Sequence, residues 1–192
     1  HSFPTRRSSD LLVKIGARAF QNCYGIMESI TTTIYSELLY VGENAFEATQ
    51  WYTNLLQGTT TARYRDGMSS NGVITIGYVV LGVSNISSNV INLHSEYTRS
   101  IADKAFYGKG NIKRIQILNS NFVHIGNNAF SQMGELERLD IHVADPQQLS
   151  LGDNIFGSSG YFNIYVPQGS VGAYQIAEGW SQYAEYFREL EF

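Results

Sequence analysis

Ile125-Gly126-Asn127-Asn128-Ala129-Phe130 decides the fold, because the same six-residue pattern returns four more times along the 192-residue chain. The other copies are Ile15-Gly16-Ala17-Arg18-Ala19-Phe20, Val41-Gly42-Glu43-Asn44-Ala45-Phe46, Ile101-Ala102-Asp103-Lys104-Ala105-Phe106 and Leu151-Gly152-Asp153-Asn154-Ile155-Phe156. Their starts lie 26, 60, 24 and 26 residues apart. A period near 25 with one long interval means stacked supersecondary units, interrupted by an insertion of about 35 residues. An irregular globule would impose no such spacing.

Each hexad position has a physical reason. The aliphatic at position 1, the small residue at position 5 and Phe at position 6 are expected to face inward, with Phe filling the space between layers. Gly at position 2 is expected to permit a positive φ. Asp103, Asn127 or Asp153 at position 3 is expected to cap a short helical turn. Downstream of three hexads come Ile112-x-x-Ile115-x-Ile117, Leu136-x-x-Leu139-x-Ile141 and Phe162-x-Ile164-x-Val166, whose endings alternate with period 2 as a half-buried strand does. One strand and one corner per repeat predict an α/β solenoid: a leucine-rich-repeat right-handed coil with a parallel strand ladder, short helical corners, one β-hairpin-like insertion and a C-terminal cap.

The hexad, Cys23 three residues past Phe20 and the Ile-rich strand that follows resemble the BspA-like leucine-rich repeats of bacterial and some protist surface proteins. The resemblance covers roughly residues 12–192. At positions matching Cys23 stand Thr49, Lys109, Met133 and Ser159, and the family's Pro after the strand appears only as Pro167. The resemblance implies a surface-displayed or secreted protein, extracellular in location, that adheres to proteins or glycans of a host or of neighbouring microbes.

The long interval holds Trp51-Tyr52-Thr53-Asn54, a polar stretch containing Arg63, Tyr64 and Arg65, and two β-rich runs meeting at Gly77. The runs predict a hairpin or a sharply bent strand pair. A Trp-Tyr-x-Asn piece before a Gly-bounded hairpin also resembles a module of the family. Trp51, Tyr52 and Tyr64 are candidates for a sugar-stacking platform. Packing of Trp51 and Tyr52 onto the coil is the plainer reading, and Tyr64 is the best placed for exposure. Near the end, Ser170 is expected to cap a short helix with Val171, Tyr174 and Ala177 on one face, a lid over the last coil. The chain thus divides into leucine-rich repeats over 12–50, a β-rich insertion over 51–85, repeats over 86–160 and a terminal strand with cap over 161–192.

Residues 1–11 have no repeat character and resemble a translated sequencing adapter, which implies a metagenomic gene model, a non-native stretch and missing upstream sequence. The formal net charge of -4 gives no electrostatic pull toward nucleic acid or anionic lipid, and no apolar run approaches the roughly 20 residues needed to span a bilayer. Cys23 is the sole cysteine, so an intrachain disulfide is excluded. At an inward repeat position it is expected to act as a small hydrophobe.

Motifs for metal, nucleotide or nucleophilic chemistry are absent. No catalytic, metal-binding or cofactor-binding residue is assigned, and the chain is expected to be non-enzymatic. His94, His124 and His142 are scattered and read as ordinary surface or turn histidines. Glu137, Asp140 and Asp145 are the conceivable acid cluster of a carbohydrate-active solenoid, but aligned strand endings place Gln116, Asp140 and Tyr165 at equivalent outward positions, and one carboxylate in three suits a solvated face better. The outward strand residues Lys113, Arg114, Gln116, Glu137, Arg138, Asp140, His142 and Tyr165, with Tyr64, are the candidate partner-binding residues. A structural spacer within a larger surface protein is the third reading.

Overall fold

The computed structural model describes residues 13–25, 38–58, 66–68, 72–84, 88–93 and 98–191. Tyr64, His94 and the stretch 1–11 lie outside them. Alternation of apolar and polar residues gives the strands β6 (Val90–Leu93), β8 (Arg114–Ile117), β10 (Arg138–Ile141) and β12 (Asn163–Val166). They join β13 (Phe187–Glu189) in one parallel sheet of order β13-β12-β10-β8-β6. Ile91, Ile115, Leu139, Ile164 and Phe187 fall in register as one inward column, and all are buried.

A second, narrower ladder runs through the hexads. Their first residues end two-residue strands: β1 (Lys14–Ile15), β2 (Tyr40–Val41), β7 (Ser100–Ile101), β9 (His124–Ile125) and β11 (Ser150–Leu151). β1 pairs with β2 in parallel as a two-stranded sheet of its own, while β7 pairs with β9 and β9 with β11 in another.

The hexad corner is a run of single turns, not a helix. Arg18, Asn44, Lys104, Asn128 and Asn154 at position 4 all have φ between 52° and 58°, and Asn22, Ala48, Gly108, Gln132 and Ser158, four residues on, are also left-handed. A left-handed residue every fourth position stops helix propagation and turns alternate amides toward one neighbouring coil and carbonyls toward the other. Phe20, Phe106 and Phe130 amides thus donate to the carbonyls of Ala45, Ala129 and Ile155 on the next coil, and positions 4 and 8 do the same.

Gly at position 2 has a different cause from the one its sequence suggests, since none of these glycines has a positive φ. A Cβ on Gly126 would lie 2.5 Å from the Asp103 nitrogen, and one on Gly152 would lie 2.4 Å from the Asn127 nitrogen. Close approach of successive coils therefore demands glycine. The Asp and Asn of position 3 also work between coils: Asp103 Oδ1 accepts from the Asn127 amide and Asn127 Oδ1 from the Asp153 amide, so neither caps a helix.

The long interval begins with α1 (Gln50–Leu56), capped by the Thr49 hydroxyl. It continues through β3 (Asp66–Met68), β4 (Val73–Ile76) and β5 (Val79–Val83). β4 and β5 form an antiparallel hairpin about Gly77, whose φ is 56°. Val79 and Val80 then pair in parallel with Ser100 and Ile101, so the hairpin supplies a rung of the narrow ladder where a hexad is missing. The Ala102 amide donates to the Val80 carbonyl, so a hairpin strand fills the place that the preceding hexad's strand holds at the other coils.

Aromatic columns fill the turns. Phe20 stacks on Phe46 at 5.3 Å, and Phe130 is held between Phe106 at 5.6 Å and Phe156 at 5.5 Å. Trp51 of α1 meets Phe46 edge-on and is buried, while the Tyr52 hydroxyl donates to the Leu81 carbonyl. Both serve packing, and Trp51 presents no face to a sugar.

Cys23 departs from expectation and is exposed. Its equivalents Thr49 and Met133 are fully buried and Lys109 and Ser159 half-buried, so neighbouring coils cover the position to different degrees. Among the described residues no coil precedes that of Cys23. At the other end, α2 (Val171–Ile176) buries Tyr174 beside Trp180 and Phe187. Ser170 makes no side-chain capping bond; it is buried and its carbonyl accepts from the Tyr174 amide. Phe187 completes the inward column, closing the last rung of the wide ladder.

Candidate functional site

The outward face of the wide ladder carries eight of the nine residues that the sequence singles out; the ninth, Tyr64, lies outside the described residues. Register places Arg114 beside Arg138, and Gln116, Asp140, Tyr165 and Arg188 in one column across four rungs. A pleat explains this: residues two apart on a strand share a face, and parallel neighbours repeat it at each rung. Residues that outward alternation brings together here are far apart in the chain.

Asp140 corrects the expectation of an exposed, partner-touching carboxylate, for its side chain is fully buried. Arg114 donates from Nε at 2.9 Å and from Nη2 at 2.6 Å to Oδ2, while Arg138 donates from Nε at 2.5 Å to Oδ1. Both oxygens are committed to guanidinium donors, which offsets the cost of removing the carboxylate from water. Arg138 also lies over the Tyr165 ring, its Cζ 3.7 Å from the centroid. Four side chains from three strands, Arg114, Arg138, Asp140 and Tyr165, are thereby locked into one surface.

Around that centre the surface is mixed in charge. Lys113 donates to Glu137 at 3.0 Å and stands 4.0 Å from Glu135, and these carboxylates hold its ammonium pKa above the usual lysine value. His142 flanks the same strand, half-buried. Beyond Tyr165 a hollow of about 440 Å³ is lined by Tyr165, Gln168, Arg188, Glu189, Leu190 and Glu191. Arg188 and Glu189 extend the face by a rung that sequence reading missed.

Asp145 takes no part in an acid cluster of the face, since its carboxylate accepts from the Gln147 amide as the cap of a single 3-10 turn at Pro146–Gln148. Among the described residues no group of three or more His, Cys, Asp and Glu side chains could hold a metal ion, and no helix is long and apolar enough to cross a membrane.

A second polar assembly sits on the narrow ladder. The Tyr40 hydroxyl donates to Asp103 Oδ2 at 2.8 Å, and burial together with that bond pushes the phenol up to about 12. His124 packs on the Tyr40 ring at 5.5 Å and shares a hydrogen bond with the Ser150 hydroxyl through Nδ1. Burial lowers the His124 pKa despite the opposing charge of Asp103. This histidine is thus a packed inter-coil residue, not a loose turn histidine.

A family model described as a BspA type leucine rich repeat region matches residues 5–66 and 69–175, in six copies. Six short strands, β5 and the five that end in a hexad, stand among the described residues, divided between two sheets. The first matched residue, Thr5, falls within the eleven-residue stretch that resembles an adapter. No curated protein matches the chain.

Proposed function

The chain belongs to the BspA-type leucine-rich-repeat family, and from that premise we propose that it is a non-enzymatic binding scaffold, secreted or displayed at a cell surface, that adheres to proteins or glycans through the outward face of its wide strand ladder. One observation carries the reading. Side chains from four successive rungs, Arg114, Arg138, Tyr165 and Arg188, share one face, and the first three are fixed around the buried Asp140. A surface held in place before the partner arrives loses little side-chain entropy on binding. Charged, amide and aromatic groups on that face suit a polar partner better than an apolar segment.

The test is binding of the purified chain to immobilised surface proteins and to a glycan array, repeated with Lys113→Glu, Gln116→Arg and Tyr165→Ala combined. These three positions leave the guanidinium bonds to Asp140 intact, so folding is preserved. Loss of most binding is the expected result. Unchanged binding by the folded triple variant removes the strand face from contention.

A further inference from the structure

Asp140 occupies a position whose neighbours on adjacent rungs, Gln116 and Tyr165, are uncharged. Stability alone does not call for a buried carboxylate there, since well-packed apolar residues commonly replace a buried ion pair without loss. What Asp140 does accomplish is orientation. It takes Nε and Nη2 of Arg114 on one oxygen and Nε of Arg138 on the other, holding two partly exposed guanidiniums against one carboxylate. The Tyr165 ring under Arg138 fixes the second guanidinium further.

Donors are left over. Arg114 Nη1 and both Nη atoms of Arg138 have no hydrogen-bond partner among the described residues, and the two side chains remain 37% and 31% exposed. Two guanidinium charges against one carboxylate also leave the centre with a net positive charge. Resting on the strand-face reading above, we infer that Arg114 and Arg138 form a preorganised clamp for a carboxylate of a partner protein, an Asp or Glu side chain flanked by basic residues. Guanidinium forks match carboxylate geometry with paired N–H donors, and fixing them beforehand reduces the entropy lost on capture.

The surroundings decide between a protein and an acidic polysaccharide. Glu135 and Glu137, 61% and 66% exposed, stand beside the clamp and outnumber the Lys113 they share. A polyuronate would bring further carboxylates against them. A protein segment of alternating sign sets its acid on the arginines and its base on the two glutamates.

The probes are a 12-residue alternating Glu-Lys peptide, its Gln-Lys counterpart and an oligogalacturonate, titrated into the full chain with arginine side-chain N–H signals followed by NMR. The Glu-Lys peptide is expected to move the Arg114 and Arg138 signals, and the Gln-Lys peptide to leave them in place. Replacing both arginines by lysine, which keeps charge but loses the fork, is expected to weaken Glu-Lys binding by about tenfold. If Glu-Lys shifts Gln116, His142 and Tyr165 without touching the guanidinium signals, the clamp falls and the strand-face reading stands. If no signal on the wide ladder moves with any probe, both fall. Movement of the guanidinium signals by oligogalacturonate alone overturns the commitment to a protein partner. The wild-type spectra carry the test even if the lysine variant fails to fold.

Discussion

Replacing Gly126 by Ala tests the packing rule that spaces the coils. The added Cβ would lie 2.5 Å from the Asp103 nitrogen, 2.6 Å from the Ala102 carbonyl carbon and 2.7 Å from Asp103 Oδ1. Two of the three are backbone atoms, so rotating a side chain cannot relieve the overlap. The coils must part by several tenths of an ångström, which strains the Gly126 amide bond to Ile101 and the Asn127 amide bond to Asp103, 2.9 and 2.8 Å long. Overpacking costs about 1–3 kcal/mol, and stretching two hydrogen bonds that are each worth about 0.5–1.5 kcal/mol when intact adds about 1 kcal/mol between them, so a loss of roughly 2–4 kcal/mol is expected. Urea unfolding followed by circular dichroism reads this as a midpoint lowered by about 1–2 M at a slope of about 2 kcal/mol/M. Gly16→Ala is the matched control, because a Cβ there meets nothing within 4 Å. Equal midpoints for the two variants would refute the claim that position 2 is glycine because of the coil beside it.

Three further outcomes follow from the same geometry. Phe130→Ala, which empties a fully buried site between two stacked rings, should cost about 3–5 kcal/mol, whereas Phe20→Ala, half-buried on the first described coil, should cost distinctly less in the same urea assay. The His124 pKa is lowered in the folded chain, so its contribution to stability is complete above the unfolded value near 6.5 and is lost as pH falls through the folded value; thermal melts at pH 7.5 and 5 should differ less in His124→Gln than in the parent. The Phe46 amide has no hydrogen-bond partner among the described residues, unlike those of Phe20, Phe106 and Phe130, and should exchange with deuterium faster than all three.

Spacing alone made the solenoid legible, because a buried Phe and a close-packed Gly must recur wherever one coil meets the next. The outward register of Gln116, Asp140 and Tyr165 was equally legible, since period-2 alternation fixes which residues share a face. Conformation at the corner was not. Arg18, Lys104 and Asn128 adopt the same left-handed backbone, and only the Asn at position 4 of three hexads hinted at it. Nor did alternation reveal that Asp140 is buried, because that depends on two long arginine side chains folding over it from its own strand and the next. The hairpin's role as a rung escaped notice for a related reason: Val79-Val80 copies the backbone pairing of a hexad strand without its Gly or Phe.

We propose that partners meet the outward face of the wide ladder. The most direct measurement is an amide NMR titration of the full chain with the tightest ligand selected from a random-peptide display and a glycan array. Shifts concentrated on Lys113, Arg114, Gln116, Glu137, Arg138 and Tyr165 are the expected result. Shifts concentrated instead on the turn positions Asn44, Asn128 and Asn154, or on the α2 cap, would contradict it.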